Sequence, residues 1–289
     1  MKKTICVIGK GHSGTGFLAT ILKGSGVYMG KHTNRDMDKG PFVNIYRIMS
    51  LPVGCRQGAI ARHKKSGTKY ARYVKAATDS VPNIEWDFSG MVNGSIPHIV
   101  RYELKTYIED LKNITQNLVG WKLTESNLIY PWLVRLYPDW YYIHLVRDVR
   151  DIMNRPELTD TDSHTDLFNV EGYTSRPNKN KFPENNLVRA LNWKYQLDIV
   201  KSIETPNYIR ITLEDLVMSH GEVIKKLSDF LGFEVNPGRP RKEVVESWRG
   251  KNGKGRENWE EFSFLNDYIE DLKYSDWPLF GDNKEYRRK

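Results

Sequence analysis

Residues 5–16 read ICVIGKGHSGTG: an apolar run passes into Gly9, Gly11, Gly14 and Gly16, interleaved with Lys10, His12, Ser13 and Thr15. Glycines let a backbone curl until several N–H groups converge on one anion. A helix that starts at such a loop adds the positive end of its dipole. Lys10 and His12 can add charge, and Ser13 and Thr15 can donate hydroxyl hydrogen bonds. The residue types therefore suit a phosphate or sulfate group. The plain alternative is a glycine-rich turn between a strand and a helix. Gly9 and Gly14 have the spacing of the two glycines in the nucleotide loop G-x-x-x-x-G-K-S/T. Thr15 and Gly16 then stand where its lysine and its magnesium-binding hydroxyl belong, which speaks against an ordinary ATP or GTP enzyme.

A second constellation, YYIHLVRDVRDIM, covers residues 141–153. An apolar strand ends at Val146, and Arg147 and Arg150 follow at its carboxyl end with Asp148 and Asp151. Ligands of open parallel sheets bind beyond the carboxyl ends of strands. The forked guanidinium suits a cluster of anionic oxygens there. The plain alternative is a surface ion-pair cluster that opens the next helix.

Together these segments resemble the superfamily of sulfotransferases that use 3′-phosphoadenosine 5′-phosphosulfate (PAPS). Its donor loop has Arg or Lys followed by Ser-Gly-Thr, matched here by His12-Ser13-Gly14-Thr15-Gly16, and its second signature resembles Arg147-Asp148-Val149-Arg150-Asp151. Residues 211–235, ITLEDLVMSHGEVIKKLSDFLGFEV, are similar to the family's Tyr-Glu-Asp-Leu segment and the helix after it. Gly120-Trp121-Lys122 resembles a strand-end Gly-x-Lys. The resemblance implies that the loop of Lys10, Gly11, His12, Ser13, Gly14, Thr15 and Gly16 holds the 5′-phosphosulfate. It implies that Arg147 binds the 3′-phosphate and that Lys122 stabilises charge as the sulfuryl group moves. The basic stretch 249–258, RGKNGKGREN, with Lys251, Lys254 and Arg256, resembles a loop that closes over the 3′-phosphate; a solvated charged turn explains it equally. The chain departs from the family pattern in three places. His12 replaces the basic residue before Ser-Gly-Thr, so that Lys10 stands in for its charge. Arg155 stands where a phosphate-binding serine is usual, and Leu213 replaces the tyrosine. For the base that takes the acceptor's proton, His32, Asp36, Asp38 and Glu125 are all open, with Asp38 preferred. Catalytic roles fall to Lys122, Asp38 and His12.

These residues need elements to place them. Apolar runs at residues 4–9, 117–122, 141–146 and 207–212 read as buried parallel strands. Helical patterns at 17–23, 128–137, 187–203 and 219–231 lie between or after them, the last stopped by Gly232. The alternation implies an α/β fold: a central parallel sheet flanked by helices, with P-loop-like nucleotide-binding architecture. One domain is expected over residues 1–289, with a helical insertion at about 50–100, a polar loop at about 159–186 and the basic loop near 249–259.

Composition sets outer bounds. The 289 residues carry 44 Lys and Arg against 36 Asp and Glu, a net charge of +8 that favours anionic partners. Of the two cysteines, Cys6 reads as a buried strand residue, and two cannot build a disulfide framework or a zinc site. No segment reads as a membrane span or signal peptide, so a cytoplasmic protein without stable membrane insertion is expected. The reading is a PAPS-dependent sulfotransferase needing no metal, releasing PAP (3′-phosphoadenosine 5′-phosphate), with an acceptor hydroxyl or amine on a glycan, lipid or small molecule. A P-loop kinase or other NTP-dependent enzyme is the first alternative. A non-catalytic nucleic-acid binder is the second, supported by the basic stretch 56–75; nucleic acid is not the expected partner.

Overall fold

The glycine loop leaves a strand that is buried almost from its start. Residues Lys3–Ile8 form β1, and Ile5, Cys6, Val7 and Ile8 are fully enclosed. In this computed structural model the described residues are 2–30, 92–93, 95–96, 101, 115–153, 182–238 and 259–272. After β1 come α1 (Thr15–Gly24), β2 (Leu118–Lys122), a 3-10 turn (Thr124–Ile129) and α2 (Tyr130–Leu136). The chain continues through β3 (Tyr141–Val146), α3 (Val149–Met153), α4 (Phe182–Lys201), β4 (Tyr208–Thr212), α5 (Leu213–Met218) and α6 (His220–Leu231). A second 3-10 segment (Trp259–Leu265) leads into α7 (Asn266–Asp271).

The strands lie in the order β2-β1-β3-β4, and every pairing is parallel. In register, Val7 stands beside Lys122 on one side and Ile143 on the other, and His144 stands beside Arg210. From β1 the chain crosses to β2 at one edge, and from β3 it crosses to β4 at the other. The strand order therefore reverses between β1 and β3. In open parallel sheets such a reversal point, beyond the carboxyl ends of the strands, is where ligands commonly bind.

Alternation along each strand assigns the two faces. Ile5, Val7, Ile143, Leu145 and Ile211 pack with Leu18 and Leu22 of α1, Leu216 of α5 and Leu227 of α6. Tyr142 and His144 point the other way, where α4 covers the sheet. Beyond the sheet, Val146, Val149, Ala190, Trp193 and Leu197 form a second cluster with Phe262 and Leu265. Burial pushes the Cys6 thiol up, so that it stays protonated and packs as a small hydrophobe.

The expected strands are present to within a residue at their ends. The helix expected at 128–137 begins as a 3-10 turn and becomes α-helical only at Tyr130. Pro131 lies in its first turn, where a missing N–H costs no helical bond. Helix α4 starts at Phe182, inside the segment expected as a polar loop, with Pro183 again in the first turn. Helix α5 fills the step between β4 and α6, and the Thr212 hydroxyl caps it by accepting from the Asp215 N–H at 3.0 Å. Gly232 ends α6 in a left-handed conformation, as expected. The insertion at 50–100 lies outside the described residues except for 92–93 and 95–96; the basic stretches 56–75 and 249–258 lie wholly outside them. Among the described residues no helix is long and apolar enough to cross a membrane.

Candidate functional site

The loop between β1 and α1 owes its shape to two glycines. A Cβ at Gly9 would lie 2.4 Å from the Leu145 carbonyl oxygen, so only glycine lets the chain leave β1 this close to β3. Gly14 is the N-cap of α1 with φ at 84°, and a Cβ there would lie 2.4 Å from Leu213 Cδ1. No side chain caps this helix. His12 also takes a left-handed conformation, φ 68°, which few non-glycine residues adopt without a compensating contact. Its carbonyl oxygen accepts from Arg147 Nη1 at 3.2 Å. The Ser13 N–H donates to the Lys10 carbonyl at 3.1 Å and closes a tight turn. The Ser13 hydroxyl is buried and has no hydrogen-bond partner among the described residues. A buried hydroxyl in that state costs about 1–3 kcal/mol, a cost that a bound oxyanion would offset.

Three buried cations stand at the ends of the three strands around this loop. Lys10 is fully enclosed at the mouth of β1, Lys122 is 3% exposed as the last residue of β2, and Arg147 is 4% exposed just beyond β3. Desolvating three positive charges at neighbouring strand ends is costly, and each must be offset by partners in the protein or by a ligand. Arg147 also pairs through Nη2 with Asp151 Oδ2 at 3.0 Å. Arg150 Nε and Nη2 grip the Asp148 carboxylate at 3.0 and 2.5 Å. Both arginines of the signature thus form ion pairs, and Arg147 also meets the loop at the His12 carbonyl.

Helix α4 supports both loops from behind with one stripe of side chains. Arg189, Asn192, Trp193 and Gln196 follow helical spacing and are all buried. Arg189 Nη1 donates to the Met153 carbonyl at 3.0 Å, and Trp193 Nε1 donates to the Arg147 carbonyl at 2.7 Å. Gln196 Oε1 accepts from the Lys10 N–H at 2.6 Å. From the other side, Glu214 Oε1 accepts from the Asp148 N–H at 3.0 Å. Burial first, and then the Asp148 carboxylate, push the Glu214 carboxyl up to about 8. It therefore sits at this junction largely as a neutral acid near pH 7.

Of the expected residues, Lys10, Gly11, His12, Ser13, Gly14, Thr15 and Gly16 make up the loop and the start of α1, Arg147 meets the loop at the His12 carbonyl, Lys122 stands beside Val7 in the neighbouring strand, and Glu125 lies in the 3-10 turn after β2. Leu213, where the family pattern has tyrosine, presses against Gly14. Asp38, Arg155, Lys251, Lys254 and Arg256 lie outside the described residues, as do His32 and Asp36. The α4 stripe was missed by sequence reasoning. The spacing R-x-x-N-W-x-x-Q within 189–196 was its signal, hidden because these polar residues sit in a helix with no clear apolar face. Among the described residues no group of His, Cys, Asp and Glu is arranged to hold a metal ion.

No family model matches the chain, and no curated protein matches it. Solved structures with a similar outline include the sulfotransferase domain of the Synechococcus PCC 7002 olefin synthase, 16% identical at a TM-score of 0.45, covering 96% of this chain and 97% of that one. A sulfotransferase from Alicyclobacillus acidocaldarius is 13% identical at 0.43, covering 100% of each chain. Retinol dehydratase, solved with retinol and PAP, is 14% identical at 0.37, covering 98% of this chain and 83% of that one. At such identities and scores these likenesses bear on neither donor nor acceptor.

Proposed function

We propose that the protein transfers a sulfuryl group from PAPS to a hydroxyl or amine. The observation that carries this reading is the enclosure of Lys10, Lys122 and Arg147 around an uncapped glycine loop at the point where the strand order reverses. Such a site suits a ligand with two separated anionic groups. The 5′-phosphosulfate would lie on the loop, against the Ser13 and Thr15 hydroxyls and the start of α1. The 3′-phosphate would meet Arg147. In the transfer, the acceptor oxygen or nitrogen bonds to sulfur as the bond from sulfur to the 5′-phosphate oxygen breaks. That oxygen becomes anionic, and Lys122 would stabilise it. The acceptor's proton leaves to a base, for which Asp38 is the preferred residue. A sulfuryl group carries less negative charge than a phosphoryl group, so lysine and backbone N–H donors serve where a kinase would use magnesium.

Thermal unfolding with PAP, adenosine 5′-phosphate and magnesium ATP tests the reading. PAP is expected to raise the midpoint most. A larger shift with magnesium ATP would overturn it in favour of a kinase.

A further inference from the structure

We propose that Gln196 is a positioning residue for the anion-binding loop, held in one orientation by a buried hydrogen-bond chain that runs from Tyr208 through His144. Three contacts define the chain. The Lys10 N–H meets Gln196 Oε1 at 2.6 Å, His144 Nε2 lies 3.4 Å from the same oxygen, and His144 Nδ1 lies 2.9 Å from the Tyr208 hydroxyl. Gln196 and His144 are both fully enclosed.

The donors and acceptors follow from the one group that has no choice. A backbone N–H can only donate, so the atom facing Lys10 must be the amide oxygen of Gln196. That oxygen can accept from His144 but cannot donate to it, so His144 carries its proton on Nε2. Nδ1 is then bare and accepts from the Tyr208 hydroxyl. Burial holds the imidazole neutral, with its pKa pulled down to about 3, so it does not become a donor at both nitrogens near neutral pH. The protons of all three contacts are thereby assigned, and the amide of Gln196, whose Nε2 is buried with no hydrogen-bond partner among the described residues, cannot flip without breaking two of them.

The consequence falls on the loop. Lys10 is the first residue of the turn that closes through the Ser13 N–H. Fixing its N–H points this amide away from the anion and sets where the later N–H groups of the loop begin. The chain crosses β4, β3 and α4 before it reaches the loop, so elements remote from the ligand determine the loop's starting geometry. An interaction preorganised in this way serves binding by removing the cost of ordering the loop when ligand arrives.

Only the effect on ligand rests on the sulfuryl-transfer reading; the chain itself is tested without ligand. Amide hydrogen exchange of the full-length protein should show a protected Lys10 N–H, with His144 ring nitrogens reporting the Nε2-protonated form. Gln196→Met keeps the length and removes the acceptor. It should speed Lys10 exchange by about tenfold or more beyond any change in the central strands. Tyr208→Phe, which removes only the hydroxyl, should produce a smaller local increase. Equal acceleration throughout the sheet would reduce Gln196 to a packing residue and overturn the proposal. An Nδ1-protonated His144, or unchanged Lys10 exchange in Gln196→Met, would do the same. In PAP titrations, Gln196→Met should weaken binding about tenfold, and adding His144→Phe should cost nothing more; independent, additive losses would contradict a shared chain. If the wild type binds no PAP, the donor reading fails while the exchange results still decide the role of Gln196.

Discussion

Gly14→Ala places one methyl group where the structure has no room for it. The backbone there has φ at 84°, and a non-glycine residue in that region costs about 1–2 kcal/mol. The new Cβ would also stand 2.4 Å from Leu213 Cδ1, 3.0 Å from Cδ2 and 3.2 Å from Cγ. Leu213 is buried among the side chains of α1, α5 and α6 and has little space into which to withdraw. Overpacking of this kind costs about 1–3 kcal/mol. The expected loss of stability is therefore about 2–5 kcal/mol. Urea unfolding of wild type, Gly14→Ala, Leu213→Ala and the double variant separates the two contributions. Leu213→Ala removes the three atoms nearest the new methyl, so the double variant should be more stable than the sum of single losses by about 1–3 kcal/mol. PAP affinity should stay low in the double variant, because the backbone strain at the loop remains. Strictly additive losses, or a cost for Gly14→Ala below about 0.5 kcal/mol, would refute the steric conflict between a side chain at position 14 and Leu213.

Lys122→Ala should lower PAPS turnover by about a hundredfold while weakening PAP less than tenfold, because its charge matters most as the leaving oxygen becomes anionic. Equal effects on turnover and PAP binding would place Lys122 in ground-state binding instead. Glu214 gives a pH test. Its folded pKa, about 8, lies above the ordinary carboxyl value of 4.5, so its contribution to stability is complete below about 4.5 and is lost as pH rises through 8. Glu214→Gln keeps an acceptor for the Asp148 N–H and removes the titration. The stability of wild type relative to this variant should fall between pH 5 and 8, by up to about 1.4 kcal/mol per pH unit. A difference that stays constant over that range, measured by urea unfolding, would contradict a protonated Glu214.

The sheet was legible in the sequence because parallel strands buried on both faces read as continuous apolar runs, and TICVIG and YYIHLV are such runs. The loop was legible too, since Gly9 and Gly14 are required by close approach and backbone angle, and both requirements leave glycines at fixed spacing. Helix α5 left a fainter mark: the Thr212 cap follows the strand without a break, and strand and helix merge into one apolar stretch. The roles of Gln196, His144 and Trp193 were not legible. Each depends on a partner far along the chain, as when Gln196 reaches Lys10, and no local pattern records such a pairing. Leu213 illustrates the same limit. In sequence it is a departure from a family pattern; in the structure it is the surface against which Gly14 is packed.

On the proposed reading, the loop and Arg147 together form a site for an adenine nucleotide with a 3′-phosphate. Calorimetric titration of wild type and Arg147→Ala with PAP and with adenosine 5′-phosphate tests it most directly. Arg147 is buried beside the loop, and losing a shielded charge partner costs about 2–5 kcal/mol. Wild type should therefore prefer PAP strongly. Arg147→Ala should bind PAP at least about thirtyfold more weakly while its affinity for adenosine 5′-phosphate hardly changes. Equal affinity of the wild type for the two nucleotides would contradict the claim.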